Sequence, residues 1–186
     1  MGEFSNGEIE LKKVVTDNQE SDANTVIEEA IRKYGKQLTN FVFSYVKDWS
    51  TAEDVVQDSF IKAFRKYDSF KGDSSLKTWL YRIAANQSKD YLKSSYFKRV
   101  ILSNIISTKN NREKSSEGET DDDLAYFVLK LPIKYREVII LHYYEELGVQ
   151  QIANLLQMNE STIKTRLRRA RTLLKDKLEG SEGYYE

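Results

Sequence analysis

Hydrophobic residues recur at spacings of three and four along most of the chain, which is typical of amphipathic helices. One such stripe runs from Val26 to Tyr45, a second covers residues 50–67 and a third covers residues 76–93. No segment alternates apolar and polar residues for long, and one proline and eight glycines are the only strong helix breakers. The pattern predicts an all-α protein.

The start of the second helix carries a local signal. Ser50 followed by Glu53 has the spacing of a capping box, in which each side chain accepts a hydrogen bond from a backbone N–H of the first turn. We therefore predict Ser50 as the N-cap. Residues 68–75 are rich in turn formers and predict a loop before the third helix, which is expected from Leu76 to Lys93.

Polar segments divide the chain into two predicted domains. Residues 1–23 are polar, lack periodicity and predict a disordered acidic extension. Residues 24–96 form the first domain, and residues 97–122, which become rich in Ser, Glu and Asp, form a flexible linker. Residues 123–180 form the second domain, in which Pro132 is expected in the first turn of a helix that runs to about Tyr144. Residues 181–186 are a short tail.

The second domain carries a helix-turn-helix pattern. A short helix ending at Leu156 is followed by a turn at residues 157–159 and by a final helix that Asn159 can cap. Such a pair holds its second helix in the major groove of DNA. Gln157 occupies a position where these turns often carry glycine. The residues expected to face inward are Ile152, Ala153, Leu156, Ile163 and Leu167.

Charge is distributed unevenly, although the net charge is zero. Seven basic residues and two acids lie between Glu160 and Lys177, whereas residues 1–29 hold eight acids and two lysines. A solvated helix face would interleave opposite charges, so a one-signed face predicts a polyanion partner. The outward residues of this helix are Ser161, Lys164, Thr165, Arg168, Arg169 and Arg171.

The first domain interleaves basic and aromatic residues around the predicted loop. Lys71, Lys77, Arg82 and Lys89 alternate with rings such as Phe70, a combination expected where cations track phosphates and rings stack on unpaired bases. Trp79 fits the helical core better than a DNA contact. Phe70 and the loop Gly72–Ser75 favour a functional role.

Several classes of function are disfavoured by composition. The chain has no cysteine and one histidine, which stands apart from any metal-ligand or nucleophile pattern. We therefore expect no enzyme activity, no metal and no cofactor. No apolar run reaches the roughly 18 residues that span a bilayer, and the N-terminus lacks a signal-like apolar stretch. We expect a cytoplasmic protein that does not insert into a membrane directly.

Four segments resemble sigma factors of the extracytoplasmic-function type, within the sigma-70 family. Residues 52–60, AEDVVQDSF, resemble the region-two helix that grips the polymerase clamp helices. Residues 70–84 resemble the segment that melts and recognises the −10 element. Residues 131–138 look like the start of region four, and residues 162–171 are similar to its −35-reading helix. The resemblance covers roughly residues 26–95 and 123–178.

This resemblance implies a role for each site. The polymerase-binding residues would be Asp54, Gln57, Asp58 and Ile61. Those that bind the −10 element would be Phe70, Lys71, Gly72, Asp73, Ser74, Ser75, Lys77, Trp79, Arg82, Asn86 and Lys89. Those that bind the −35 element would be Ser161, Thr162, Lys164, Thr165, Arg166, Arg168, Arg169 and Arg171. His142 stands where relatives often carry an arginine near the DNA backbone.

The implied function is promoter-specific initiation with strand opening and without bond chemistry. The implied partners are the β and β′ subunits of core RNA polymerase, promoter DNA and an anti-sigma factor, which can hold such proteins at the membrane. Two alternatives from the residues alone are a helix-turn-helix regulator with a dimerising or ligand-binding first domain, and an adaptor whose basic helix docks an acidic protein. A nucleic-acid enzyme is a more distant third.

Overall fold

The computed structural model describes residues 6–94 and 120–182, and within these ranges every regular element is helical. A 3-10 turn, Tyr67–Ser69, follows the second helix, and a π-helical turn, Ile140–Tyr144, extends the fifth. The all-α prediction is confirmed. The helices are α1 (Asn6–Val46), α2 (Trp49–Arg65), α3 (Leu76–Lys93), α4 (Thr120–Lys130), α5 (Ile133–Ile139), α6 (Val149–Leu156) and α7 (Glu160–Glu182).

The first three helices pack against one another as an N-terminal bundle. The apolar stripes read from the sequence form its core, since Val42, Val56 and Leu80 are all buried. Phe41 lies at its centre, with its ring centroid 5.2 Å from that of Tyr45 and 5.1 Å from that of Tyr81. The predicted bounds of α3 are confirmed.

The beginning of α1 differs from the sequence prediction. The segment expected to be disordered, residues 1–23, is helical from Asn6 onward, while residues 1–5 lie outside the described range. The prediction relied on polarity and missing periodicity. Residues 8–15 nevertheless contain no Gly or Pro, and adding residues to an existing helix costs much less than nucleating one.

The start of α2 also differs. Asp48, not Ser50, is the N-cap: its backbone is extended (φ −142°) and its Oδ1 accepts a hydrogen bond from the Thr51 N–H at 2.8 Å. Trp49 is therefore already helical, and its ring stacks on Phe43 with centroids 4.1 Å apart. Asp and Ser cap helices about equally well, so the tight α1–α2 connection, with Lys47 at φ 58°, decides which one is used.

The last four helices form a C-terminal bundle in which α7 packs against α4, α5 and α6. All five residues predicted to face inward in the helix-turn-helix are buried. Pro132 is the N-cap of α5 rather than a first-turn residue. The position still suits proline, because a backbone N–H at the start of a helix has no hydrogen-bond partner within the helix, so its absence costs nothing.

The two bundles pack against each other, α3 against α6 and α1 against α5. The buried side chains of both bundles belong to one continuous hydrophobic cluster. Most of the predicted linker lies outside the described residues, and residues 120–122 belong to α4. In the ranges that the structure describes, no helix combines the length and the apolar character needed to cross a membrane.

We predict that Asp48→Ala lowers the free energy of unfolding by about 1 kcal/mol, because it removes the side-chain cap of α2. The Thr51 backbone N–H lowers the pKa of Asp48, so this contribution is present above the usual carboxyl pKa and is lost as pH falls through the lowered one. Urea titrations at neutral and acidic pH measure both effects.

The matched control is Ser50→Ala, which alters the cap predicted from sequence. It should change stability by less than about 0.5 kcal/mol. A larger loss for Ser50→Ala than for Asp48→Ala would contradict the observed cap.

Candidate functional site

A basic cleft of about 320 Å³ lies on the C-terminal bundle between α5 and α7. Five of the eight residues predicted to bind the −35 element line it, together with two residues of α5 that sequence reasoning missed. The lining residues are Lys134, Tyr135, Ser161, Thr162, Thr165, Arg166 and Arg169. The cleft thus groups cations with hydroxyl groups on the second helix of the helix-turn-helix, as a DNA-reading surface requires.

Tyr135 belongs with the basic side chains of this cleft. The Arg169 guanidinium beside its hydroxyl lowers the pKa of Tyr135, and the Lys134 ammonium lies 5.0 Å from the centre of its ring. Lys134 follows Pro132 closely in sequence. The sequence signal that could have indicated Lys134 and Tyr135 was the pairing of a basic with an aromatic residue at the start of α5.

The other predicted −35 residues are distributed differently. Lys164 and Arg168 are exposed on α7 outside the cleft lining. Arg171 lines a separate apolar groove with Leu124, Tyr143 and Tyr144. Arg171 therefore does not contribute to the basic cleft.

Arg166 points toward the protein rather than outward. Its Nη1 lies 2.8 Å from Oε1 of Glu137, a residue of α5 that is only 2% exposed. The same carboxylate accepts a hydrogen bond from the Tyr45 hydroxyl at 2.9 Å and lies 2.9 Å from Lys89 Nζ. Arg166 thus fixes α7 to α5 at the floor of the cleft.

The predicted −10 loop faces the helix-turn-helix across a cavity of about 550 Å³. Six predicted −10 residues, Phe70, Lys71, Asp73, Ser74, Trp79 and Arg82, line one side. Ala153, Asn154, Gln157, Met158 and Asn159 line the other. The predicted −10 loop therefore faces the first helix and the turn of the helix-turn-helix, and none of the residues predicted to bind the −35 element lines this cavity.

Individual loop residues have distinct local roles. Trp79 is 6% exposed and lies 5.0 Å from the half-buried Phe70 ring, which confirms the core position expected for Trp79. Ser75 is the N-cap of α3 and accepts a hydrogen bond from the Thr78 N–H at 3.1 Å. Gly72 adopts φ +75°, a left-handed conformation that glycine reaches without steric cost. Asn86 is exposed on α3, away from the cavity lining.

Two predicted −10 lysines form ion pairs with the C-terminal bundle. Lys77 Nζ lies 3.0 Å from Glu145 Oε2 and donates to the Glu145 carbonyl oxygen at 3.1 Å. Lys89 is paired with Glu137 as described above. Sequence reasoning missed both glutamates, because the lysine that each one binds lies far away in the chain and no local pattern marks the pair.

Buried tyrosines lie beside these glutamates. Burial, reinforced by the negative charge of Glu137, raises the pKa of Tyr45 well above its usual value. Burial and the charge of Glu145 likewise raise the pKa of Tyr81. A tyrosine hydroxyl is protonated at physiological pH even with its ordinary pKa, and the Tyr45 hydroxyl donates to Glu137 at 2.9 Å.

The predicted polymerase-binding residues lie together on the outer face of α2. Asp54, Gln57, Asp58 and Ile61 are all exposed. Gln57 and Ile61 also line an apolar groove of about 540 Å³ that α2 forms with α1. This face combines free carboxylates with accessible apolar surface. In the described part of the chain, no three His, Cys, Asp or Glu side chains converge as metal ligands would.

Two family models match the chain in the order predicted. The model for sigma-70 region 2 matches residues 30–97, and the model for sigma-70 region 4 matches residues 122–174. The first therefore covers most of the described N-terminal bundle, and the second covers most of the C-terminal one.

Curated relatives and solved structures agree with the family models. The chain is 30% identical to RNA polymerase sigma factor SigV of Bacillus subtilis, over 80% of this chain and 88% of the relative. It is 32% identical to the ECF RNA polymerase sigma-E factor of Escherichia coli, over 79% and 83%. The sigma factor RpoE of Bartonella quintana, solved with the anti-sigma factor NepR, superposes with TM-score 0.60 at 25% identity, over 82% of this chain and 96% of that one.

The turn of the helix-turn-helix generates a stability prediction. Gln157 ends α6 with φ 56°, a left-handed conformation that costs an ordinary residue about 1–2 kcal/mol. Gln157→Gly should relieve this cost and, after the added freedom of the unfolded chain, raise the free energy of unfolding by up to about 1 kcal/mol. Urea denaturation measures the change.

The same substitution at Gln150, on the exposed surface of α6, is the control. Gln150→Gly should lower stability by about 0.5 kcal/mol, because glycine is a poor helix former. Destabilisation by Gln157→Gly of the same size as the control would contradict the strain at the turn.

Proposed function

Because the chain belongs to the sigma-70 family and is a sigma factor of the extracytoplasmic-function type, we propose that it reads two promoter elements and promotes strand opening. It directs promoter-specific transcription initiation with RNA polymerase. The observation that carries the proposal is the basic cleft on α7, because a one-signed, hydroxyl-lined surface on the second helix of a helix-turn-helix suits duplex DNA.

The −35 element is assigned to this cleft. Arg169 and Lys134 provide cations for phosphates or guanine edges, and Thr165 provides a hydroxyl group that can contact a base or the backbone. Arg166 supports the cleft from below through Glu137. Arg168 and Lys164, exposed beside the cleft, suit phosphate contacts along the adjacent backbone.

The −10 element is assigned to the loop between α2 and α3. Lys71 and Arg82 would track the phosphates of an unpaired strand, while loop groups around Gly72 would hold an extruded base. Extruding a base costs a few kcal/mol in lost stacking and pairing. Capture in the loop would offset that cost and stabilise the open strands.

Core RNA polymerase is assigned to the outer face of α2. Asp54 and Asp58 are exposed carboxylates that suit a basic partner surface, and Ile61, 41% exposed, suits an apolar contact beside them. Holding both bundles in one chain raises the effective concentration of the second DNA contact once the first has formed. The polymerase performs the bond chemistry, and this chain supplies recognition.

An anti-sigma factor is the proposed regulatory partner. The similar RpoE was solved in complex with NepR, and this chain offers two apolar grooves, one beside α2 and one beside α7. A protein that works with the polymerase would act in the cytoplasm.

The polymerase assignment predicts that Asp58→Lys abolishes promoter-specific initiation. Reversing an exposed charge at the centre of the α2 face should weaken assembly with core polymerase by more than tenfold, since like charges then face each other. The measurement combines a binding titration with core polymerase and the mapping of start sites across genomic DNA.

Asp176→Lys, a reversal at an exposed residue of α7, is the matched control and should leave assembly within about twofold, because it lies outside the proposed polymerase face. If the unaltered protein gave no promoter-specific start sites, the proposed function would be wrong. If Asp58→Lys assembled normally, the α2 assignment alone would be wrong.

The −35 assignment predicts that Arg169→Ala weakens binding to promoter duplex by about 1–3 kcal/mol for a base contact, without weakening polymerase assembly. Loss of a phosphate contact instead lowers the salt slope of binding by about one. Arg171→Ala removes the same side chain from the other face of α7 and should have the smaller effect. Duplex titrations at several salt concentrations compare them, and equal losses would contradict the cleft.

A further inference from the structure

The face of α3 that carries two predicted −10 cations is covered by the C-terminal bundle. Lys77, Tyr81 and Ala85 lie at successive four-residue spacings, followed by Ser88 and Lys89. Tyr81, Ala85 and Ser88 are buried. At each end of this stripe, a lysine meets a carboxylate of the other bundle, Lys77 with Glu145 and Lys89 with Glu137.

These glutamates hold the lysines as DNA phosphates would. A Lys ammonium binds a carboxylate and a phosphate as a point charge with similar hydrogen-bond geometry. Both contacts measure close to 3 Å, 3.0 Å for Lys77 and 2.9 Å for Lys89. A lysine so engaged, with about 29% of its side chain exposed, has little surface left for a phosphate.

We propose that Glu137 and Glu145 keep the chain in a closed state by occupying Lys77 and Lys89 in place of the −10 phosphates. Opening then exchanges each carboxylate for a phosphate. The inference rests on the proposed function, because it takes both lysines as −10 contacts. It adds that the C-terminal bundle is itself a competitor for the −10 surface.

The local geometry keeps the cost of this exchange low. A buried carboxylate that loses its only cation is strongly destabilising. Glu137, however, keeps Arg166 at 2.8 Å, because both residues belong to the C-terminal bundle. Separation of the bundles would expose Glu145 to water. Neither glutamate is left as an unpaired buried charge, so the closed and open states are both accessible.

In the closed state, the proposed −10 surface is partly covered, whereas the proposed −35 surface is accessible. The −10 loop faces the helix-turn-helix across the cavity between the bundles. Lys164, Arg168 and Arg169 of α7 remain exposed. Closure should therefore inhibit −10 binding while leaving −35 duplex binding nearly unchanged.

Glu145→Gln tests the inference, because it removes the charge that holds Lys77 and leaves every proposed DNA and polymerase contact in place. The native chain has no cysteine, so cysteines introduced at the exposed Lys36 and Lys177 can carry a dye pair that reports bundle separation by energy transfer. The DNA probe is a single-stranded oligonucleotide with the −10 non-template sequence, taken from the mapped start sites.

Glu145→Gln should lower the energy transfer and tighten oligonucleotide binding about three- to tenfold, because apparent affinity scales with the open fraction. Binding to −35 duplex should change less than twofold. Glu146→Gln, an identical change at the exposed neighbour, should leave all three readings unchanged. Circular dichroism confirms that each variant is folded.

Tyr45→Phe is a second variant, which removes the Tyr45 donor to Glu137 and keeps the buried ring. It should shift energy transfer and oligonucleotide affinity in the same direction. Unchanged energy transfer in both variants, or opening without tighter −10 binding, would overturn the inference. Absence of promoter-specific start sites refutes the proposed function instead, and the energy-transfer reading is independent of that result.

Discussion

The carboxylate of Glu137 connects three helices of two bundles. Glu137 is only 2% exposed, and its carboxylate oxygens lie within 2.9 Å of donor groups from three other helices. These donors are Tyr45 of α1, Lys89 of α3 and Arg166 of α7. A buried charge is tolerated only when it is paired and hydrogen-bonded. The position of α7 on α5 and the packing of the two bundles both depend on satisfying this one group.

One side chain therefore connects the two proposed DNA surfaces. Arg166 binds Glu137 Oε1 at the floor of the basic cleft. Lys89, a proposed −10 contact, binds Oε2 of the same carboxylate at the interface between the bundles. Lys77 and Glu145 form a second ion pair between the two bundles. In this sigma factor, the ion pairs that support the proposed −35 cleft and those that cover the proposed −10 lysines share a network, while the proposed polymerase face of α2 stays exposed.

Local features were predicted well because they depend on near neighbours in the chain. Helical periodicity placed α3 at its observed bounds and identified Ile152, Ile163 and the other buried residues of the helix-turn-helix. The predictions failed where local signals were nearly equal. Asp48 and Ser50 are both good caps, and the turn between α1 and α2 selects Asp48. Polar residues before Val26 suggested disorder, but their helix propensity lets α1 begin at Asn6.

The sequence by itself determined an all-α chain, a helix-turn-helix, a one-signed basic helix and a resemblance to sigma factors, because spacing, charge and motif order are written along the chain. Tertiary structure alone decided which predicted DNA residues are free. Arg166 points to Glu137 and Arg171 lies in an apolar groove, while Lys77 and Lys89 meet carboxylates of the other bundle. Tyr45 and Glu137 are 92 residues apart, and no local pattern encodes such a pairing, since it exists only once both bundles have folded and packed.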